Sequence, residues 1–491
     1  MDQRQARIER RRLFQTGVAA GLLALTGVPL RAQTRRGRFT AALGEARVTD
    51  NWDARTHAGL FMMAAGHGAI FDCLTEIAAD GSIKCELAES WEASSDARVW
   101  TFNLRKNVRF HDGQTFSADD VIASLCWHMA DNVVSPARPL ISPITEMRKI
   151  TDHQVQFTLA AGNADFPYLM SDYHLVIYPA DRLGEPVGTG LYRLKSFDPG
   201  VQMTATRVDD HYKGDSAGFF EEIRFLAMND PLDRMNAIMT GEVDAISGID
   251  LPTRARIKAN PSLRMHDVAG NRHYTFAMPT DAPPLDQLHL RKALKYGVDR
   301  QGMVDTLLRG YGQVGRDTPI GPANQYFAKD IAAFPYDPDR ARYHLRNAGL
   351  DRLQVGIADF NDVLADTMAT AGIDLKTSGV PTLKFAEWSG RLTEDWMFAM
   401  GYTPAAPWND SGWDHAQFNA LMETARSELD SIKRRALYRE MQVILRDEGN
   451  MLIPMFANDV HAVNNRIWSP QTIGNQWQMD NARMAERWAR A

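Results

Sequence analysis

The segment WTFNLRKNVRFHDGQTFSADDVI, residues 100–122, constrains the fold more than any other part of the chain. Apolar side chains alternate with polar ones over residues 100–104, which predicts a half-buried strand. Asp112-Gly113 is typical of a tight turn, because glycine readily adopts a positive φ. Ser117, with Asp120 three residues later, then predicts the start of a helix. This succession of strand, turn and helix predicts a structural role, and it contains no catalytic motif.

As a string, this segment resembles the signature of the family 5 solute-binding proteins, the dipeptide, oligopeptide and nickel receptors of ATP-binding-cassette importers. Blocks that resemble the same family follow in the same order at residues 186–194, 284–300 and 418–456. The resemblance implies an α/β chain with a two-lobed periplasmic-binding-protein fold. This fold would be type II-like, with the extra subdomain of the large peptide-binding class and a cleft between the lobes.

The resemblance also implies a division of the chain. Residues 1–32 would be a twin-arginine-type signal peptide, residues 56–182 the extra subdomain of lobe I, and residues 270–456 lobe II. Lobe I itself would be discontinuous, and its pieces would be residues 33–55, 183–269 and 457–491.

Residue patterns predict further elements. Glu222–Ala227 has the pattern of a strand, Asp230-Pro231 that of a helix start, and Gly241 that of a helix end. A second short strand in residues 242–247 would complete a crossover unit, which predicts a mixed sheet. For the pair Arg291 and Asp299, a structural ion pair or a helix cap is favoured over a catalytic role.

Two predictions concern helical and aromatic patterns near the C-terminus. Asp430 is expected to begin a helix, and its inward face is predicted to be Ile432, Ala436, Leu437, Ile444 and Leu445. Trp396, Phe398 and Met400 alternate as in a buried strand, so we assign Trp396 to the core.

The first thirty-two residues have the pattern of an export signal. Residues 10–14, RRRLF, precede an uncharged stretch, and residues 30–32 form a small-residue cleavage site. Paired arginines with modest hydrophobicity resemble a twin-arginine signal. A retained N-terminal anchor is the alternative, but glycine and threonine dilute the apolar stretch. We expect a soluble periplasmic protein, cleaved near Ala32.

Charge and cysteine content restrict the partners and the chemistry. Residues 1–32 carry a net charge of +4, so the rest of the chain carries −10 against −6 for the whole. This excess of negative charge argues against nucleic acid or an anionic membrane surface as a partner. Cys73 and Cys85 flank an apparent hairpin, and their spacing leaves a disulfide open. Cys126 is expected to be a buried free thiol.

Four of the eleven tryptophans lie within residues 388–413, among loop-forming residues and a few polar groups. Aromatic walls with a few polar anchors are typical of a solute cleft. The alternative is that some of these side chains belong to a core. The predicted ligand-binding residues in this region are Trp388, Arg391, Tyr402, Trp408, Asn409 and Asp410.

The same region departs from the peptide-binding relatives. The resemblance implies an Asp here that pairs with the peptide α-ammonium group, but residues 401–407 contain no carboxylate. Residues 350–390 also look shorter than is usual in the family. Either Asp410 or Asp395 replaces the missing carboxylate, or the ligand is not an ordinary peptide.

Further candidates lie elsewhere in the chain. Arg272 and Tyr274 stand where the chain is expected to cross between lobes, and a guanidinium there would either bind a ligand carboxylate or form a salt bridge between lobes. Trp52 and His57 lie in an early loop and are weaker candidates.

The predicted function is a periplasmic receptor that captures a small solute, a peptide or a peptide-like or opine-like compound, by lobe closure. It would deliver this solute to the inner-membrane permease subunits of an importer, and we expect a monomer. The alternatives are an exported hydrolase acting on peptides, and a chaperone or sensor with the same fold. The sequence contains no GxSxG, SxxK or HExxH motif, so we predict no catalytic residues, no metal site and no cofactor. The identity of the solute is left open.

Overall fold

The computed structural model describes residues 37–132, 134–358, 362–377 and 382–491. The predicted signal segment, residues 1–32, lies outside these ranges. Within them, no helix combines the length and the apolar character needed to cross a membrane.

The strands, in chain order, are β1 (Arg38–Leu43), β2 (Thr75–Ile77), β3 (Ile83–Cys85), β4 (Ala88–Ala93), β5 (Val99–Leu104), β6 (Ile144–Thr151), β7 (Gln154–Leu159), β8 (Tyr192–Asp198), β9 (Gln202–Arg207), β10 (Glu222–Ala227), β11 (Ala245–Ile246), β12 (Leu263–Ala277), β13 (Gly312–Val314), β14 (Leu353–Gly356), β15 (Ile373–Lys376), β16 (Lys384–Trp388), β17 (Met451–Asn464), β18 (Ile467–Trp468) and β19 (Ala489–Arg490).

The α-helices are α1 (Gly59–Ala65), α2 (Ala118–Trp127), α3 (Arg138–Ile141), α4 (Phe166–Leu169), α5 (Pro231–Thr240), α6 (Leu251–Lys258), α7 (Leu288–Tyr296), α8 (Arg300–Leu307), α9 (Pro338–Asn347), α10 (Asp362–Thr370), α11 (Glu394–Gly401), α12 (Ala416–Ser427), α13 (Ser431–Glu448) and α14 (Met484–Arg487).

Nine strands form the large sheet, in the order β16-β12-β17-β11-β1-β10-β9-β8, with β13 paired to β17. Strands β10 and β11 both run parallel to β1, one on each side, so the chain crosses between them through α5. Asp230 caps α5 by accepting from the N–H of Leu232, and Gly241 ends it with φ 79°. The predicted crossover unit and mixed sheet are confirmed.

A separate antiparallel sheet has the order β4-β5-β7-β6. Its strand β5 buries alternate side chains, and α2 starts directly after Ser117, as predicted from residues 100–122. The segment PVGTG, residues 186–190 in one of the blocks that resemble the family, leads into β8. Its glycines are required by close packing, because a Cβ at Gly188 would lie 2.1 Å from the carbonyl oxygen of Ile70.

The longest strands, β12 and β17, pair along most of their length and run from one apolar core to another. At one end, Val460 and Ala462 of β17 pack with helices α5 and α6. At the other end, Leu452 packs with α7 and α8. The register shifts between Val268 and Arg272, which is typical of a β-bulge and bends the pair where it passes between the cores.

Several predictions about single elements were wrong. Trp396 is half-buried against an apolar core, but it lies on helix α11 and not on a strand. Ile432 is 80% exposed, and Arg434 takes the inward position instead. Cys126 is a free thiol as expected, but it is exposed where a buried position was predicted. The disulfide that the sequence left open between Cys73 and Cys85 is not formed, since both are free thiols.

Candidate functional site

A cavity of about 490 Å³ lies at the irregularity in the β12–β17 pairing. Its wall is formed by several separate parts of the chain, and most of the side chains are polar. The lining residues used below are Glu45, Asp250, Asn271, Arg272, Glu387, Asp459 and Trp477. Bulges frequently lie next to binding sites because they redirect side chains, and this one presents Asn271 and Arg272 to the cavity.

The cavity holds more negative than positive charge. Arg272 forms a salt bridge with Glu387 at 3.0 Å, and both side chains are 46% exposed. In the part of the chain that the structure describes, Asp459 has no such partner at contact distance. Burial raises the pKa of Asp459 to about 6, while the positive charge of Arg272 acts in the opposite direction. A cationic group of a ligand would therefore be attracted to Asp459 and compensate its burial.

Glu45 and Asp250 add two carboxylates that are held in place by backbone groups. The Glu45 carboxylate accepts from the N–H of Leu60 at 2.9 Å, and Asp250 accepts from the N–H of Thr253 at 3.1 Å as the cap of α6. Glu45 itself has φ 65°, a conformation that non-glycine residues rarely adopt. Such strain is often found at binding sites.

Asn271 lines the cavity and carries an unpaired hydrogen-bond acceptor within the described residues. Its Nδ2 donates to the carbonyl oxygen of Arg391 at 3.3 Å and to Oε1 of Gln476 at 3.2 Å. Its Oδ1 is buried without a hydrogen-bond partner in the described part of the chain. A Cβ at Gly390 would lie 1.8 Å from Asn271 Cγ, so only glycine leaves room for this amide. A buried unpaired acceptor favours a ligand with N–H or O–H donors.

A left-handed turn of four non-glycine residues lies next in sequence to cavity-lining residues. Met479, Asp480, Asn481 and Ala482 have φ between 56° and 62°. Side chains within the turn stabilise it, because Asn481 Oδ1 accepts from the N–H of Gln476 and Asp480 Oδ2 from the indole N–H of Trp488. Gln478 connects the turn to Trp477, and both residues line the cavity.

The predicted aromatic region lies beside this cavity. Trp388 and Trp408 meet edge to face with ring centroids 5.7 Å apart. The guanidinium of Arg391 lies over the ring of Trp408 at 5.2 Å and over that of Trp396 at 5.7 Å. Ser389 and Gly390, between Trp388 and Arg391, line the cavity. Trp408 remains 45% exposed.

The other predicted residues lie away from the cavity wall. Tyr402 is 1% exposed inside a core, and Trp52 is buried against Phe197. Asn409 uses its amide within its own loop, donating to the carbonyl oxygens of Thr403 and Trp413.

Asp410, Tyr274 and His57 also do not line the cavity. Asp410 is exposed, and Tyr274 stacks on Phe385. His57, the weaker candidate, is buried, and its burial lowers its pKa to about 3. Among the nine predicted ligand-binding residues, Arg272 is the one that lines the cavity in the described part of the chain. The binding role of all nine stays a prediction.

Sequence reasoning missed the acidic residues of the cavity. Asp459 carried a usable signal, because it is the single carboxylate in the apolar run MLIPMFANDVHAV. Asp250 carried a signal for a helix cap only, since it precedes Leu-Pro at a helix start. Glu45 carried none.

A second acidic group lies outside the cavity. Carboxylate oxygens of Glu76, Glu86 and Glu486 lie within 4.8 Å of one another, a spacing that suits a cation. The Nζ of Lys213 occupies this position, at 3.3, 3.0 and 2.8 Å from the three carboxylates. The Lys213 ammonium group and the guanidinium of Arg483, whose Nη1 lies 2.8 Å from both Glu86 and Glu486, together supply positive charge to these carboxylates.

Comparisons with known proteins find bacterial solute-binding proteins that are similar to this chain. The sequence profile described as bacterial extracellular solute-binding proteins, family 5 middle, matches residues 82–374. Heme-binding protein A of Haemophilus influenzae is 25% identical over 80% of this chain and 81% of its own. The dipeptide-binding protein of Escherichia coli is 24% identical over 75% of this chain and 79% of its own.

A solved structure extends the likeness to the fold. The periplasmic binding protein AgaA from A. tumefaciens R10, in complex with agropinic acid, has a TM-score of 0.72 at 22% identity and covers 93% of this chain and 99% of its own. The predicted periplasmic-binding-protein fold is confirmed.

Proposed function

The chain belongs to the bacterial extracellular solute-binding proteins of family 5, and from this premise we propose that its cavity binds a small solute with a protonated amine, of the peptide or opine kind. The observation that supports this ligand class is the surplus of acceptors in the cavity. Within the described residues, the carboxylates of Asp459, Glu45 and Asp250 have no cationic partner at contact distance, and Asn271 Oδ1 has no hydrogen-bond partner. A protonated amine supplies both the charge and the N–H donors for this set.

One relative's name supports the same class of solute. The similar chains include a dipeptide-binding protein, beside a heme-binding and a nickel-binding protein. Asp459 would then take the role of the carboxylate that residues 401–407 lack. It comes from strand β17, so the ammonium group would lie at the crossing of the long strands.

Binding is proposed to work by lobe closure followed by delivery to the permease subunits of an importer. The lobe boundaries predicted from the sequence remain a proposal. They are supported by β12 and β17, which run from one core to the other and suit a hinge. Export through a twin-arginine signal, cleavage near Ala32, a monomeric state and the absence of catalysis belong to the same proposal.

Calorimetric titration tests the ligand class. The probes are alanyl-phenylalanine and octopine, with N-acetyl-alanyl-phenylalanine as the probe without a basic amine. The wild type is expected to bind an amine-bearing probe and not the acetylated one, and Asp459→Asn is expected to weaken binding at least about tenfold, the scale of a lost charge-assisted hydrogen bond. Asp330→Asn, an exposed carboxylate far along the sequence from the cavity residues, is the control. Equal affinity for acetylated and free peptide would overturn the proposal.

A further inference from the structure

The cavity carries more negative charge than one protonated amine compensates. Four carboxylates line it, those of Glu45, Asp250, Glu387 and Asp459, and Arg272 is the one arginine among the lining residues. Glu387 already pairs with Arg272 at 3.0 Å. An ammonium group at Asp459 would therefore leave Glu45 and Asp250 without an ion-pair partner in the described part of the chain. A cleft lined by charges of one sign attracts ligands of the opposite sign.

Two arginines interact with this wall, but each also has a carboxylate outside the cavity. Burial lowers the pKa of Arg234, and the charge of Asp230 opposes this shift ahead of that of Asp250. Burial also lowers the pKa of Arg254, and there Asp267 acts ahead of Asp250. Because each arginine brings a further carboxylate, the two add no net positive charge to the cavity.

Glu45 and Asp250 lie in segments that also bring apolar side chains to the cavity. Leu60, Met63 and Ile249 are among the lining residues. The N–H of Leu60 donates to the Glu45 carboxylate at 2.9 Å, and Ile249 directly precedes Asp250. Apolar wall that ends at carboxylates suits an aliphatic chain with a positive group at its end, which is the form of a lysine, ornithine or arginine side chain.

Two observations connect this acidic wall with the rest of the cavity. Burial raises the pKa of Asp459 to about 6, and the charge of Glu45 adds to this rise, so the two carboxylates lie close enough to interact. Asn271 is 5% exposed, and its Oδ1 has no hydrogen-bond partner within the described residues. The unpaired amide oxygen indicates a ligand with N–H donors independently of the carboxylates.

We propose that the cavity binds a solute with two positive charges, an ammonium group at Asp459 and a second ammonium or guanidinium group at Glu45 and Asp250. This inference rests on the proposed function and narrows it to compounds built on lysine, ornithine or arginine. Two carboxylates that share one cation bind it by charge-assisted hydrogen bonds, and the aliphatic stem of the side chain packs on Leu60 and Met63.

Calorimetric titration with two probes that differ in one charge tests the inference. Alanyl-lysine carries the second ammonium group, whereas alanyl-Nε-acetyl-lysine keeps the aliphatic chain and lacks this charge. The wild type is expected to bind alanyl-lysine at least about tenfold more tightly, the scale of one charge-assisted hydrogen bond.

Asp250→Asn and Glu45→Gln remove the two charges and keep the local structure. The amide oxygen of each variant still accepts from the N–H of Thr253 or Leu60, and Asn caps a helix as well as Asp does. The double variant is expected to lose the preference for alanyl-lysine and to bind the acetylated probe as the wild type does. If the double variant binds neither probe, each single variant should show a reduced preference.

Asp337→Asn is the matched control. Asp337 caps α9 by accepting from the N–H of Arg340 at 2.9 Å, and it is not among the residues that line the cavity. This variant should keep the full preference for alanyl-lysine.

The outcomes separate this inference from the proposed function. Equal affinities of the wild type for the two probes, with binding still lost when the α-amine is acetylated, overturn the inference and leave the proposed function standing. A preference that survives in the variants of Glu45 and Asp250 also overturns it, because the second charge would then be bound elsewhere. A wild type that binds no probe with a free amine removes the proposed function, and this inference with it.

Discussion

Asp165 and Arg434 form a buried ion pair at 2.7 Å, with side chains only 2% and 5% exposed. Asp165 lies between β7 of the four-stranded sheet and α4, whereas Arg434 belongs to the long helix α13. The backbone strengthens the same contact, because the N–H of Ala164 donates to the carbonyl oxygen of Arg426 at 2.7 Å. This contact joins two parts of the chain that are distant in sequence.

Asp165→Asn is expected to destabilise the protein by about 3 kcal/mol, because it leaves the Arg434 charge buried without a counter-ion. Thermal denaturation followed by circular dichroism measures the effect. Asp330→Asn is the control, since it breaks the exposed pair with Arg439 at 2.6 Å and should leave the melting temperature almost unchanged. Equal melting temperatures for the two variants would contradict the assigned strength of the buried pair.

Ligand affinity is expected to fall as the pH is lowered from 7 to 5. The pKa of Asp459 is raised to about 6 in the free protein, so the carboxylate is ionised above this pH and protonated below it. A protonated Asp459 no longer attracts an ammonium group, and the affinity should drop by up to about tenfold per pH unit below the pKa. Titrations at several pH values check the slope. The Asp459→Asn variant should show no dependence of ligand affinity on pH in this range. If the dependence persists in that variant, another group is responsible for it.

Lys213→Met is expected to cost about 3 kcal/mol or more at pH 8, because the carboxylates of Glu76, Glu86 and Glu486 lose the ammonium group between them. Burial already raises the pKa of Glu86 to about 7, with Arg483 and Lys213 acting in the opposite direction.

Removing Lys213 should raise the pKa of Glu86 further. A carboxyl group whose pKa is raised by folding favours the folded state at low pH and disfavours it as the pH rises through that pKa. The loss in melting temperature should therefore be smaller at pH 6 than at pH 8. Lys195→Met, at an exposed pair with Glu222, is the control. An equal loss at both pH values would show that the carboxylates stay ionised without the lysine.

The three cysteines are expected to differ in reactivity. Cys85 and Cys126 are exposed, whereas Cys73 is buried and burial raises its pKa well above the usual value. Alkylation of the native protein should label two thiols, and a third only after unfolding. Mass spectrometry of the intact protein counts the labels. A native protein that accepts no label at Cys85 and gains two labels on reduction would instead have the Cys73–Cys85 bridge.

Local patterns predicted most of the elements around the site, because they depend on neighbouring residues. The alternation of β5, the cap of α5 by Asp230 and its end at Gly241 were all readable from a few adjacent positions. The strand predicted at Trp396 failed because three alternating residues are too few to separate a strand from a helix. Thr393 decides for the helix, since its side chain accepts from the N–H of Trp396.

Contacts between residues that are distant in sequence explain the wrong prediction for the inward face of α13. On α13 the hydrophobic Ile432 was predicted to face inward, yet the charged Arg434 does so. The reason is Asp165, nearly three hundred residues earlier, which supplies the counter-ion that a buried guanidinium requires. No periodicity within the helix contains that information.

The sequence by itself determined the family, the succession of strands and helices, and the region where aromatic side chains gather. Only the tertiary structure determined the composition of the candidate site. Its cavity combines Glu45, Asp250, Asn271 and Asp459 from parts of the chain that meet at one bulge. The electrostatic interactions and the desolvation of a side chain depend on which atoms lie near it in space. A carboxylate such as Asp459 is ordinary in the sequence, and its attraction for a cation arises from its burial beside β12.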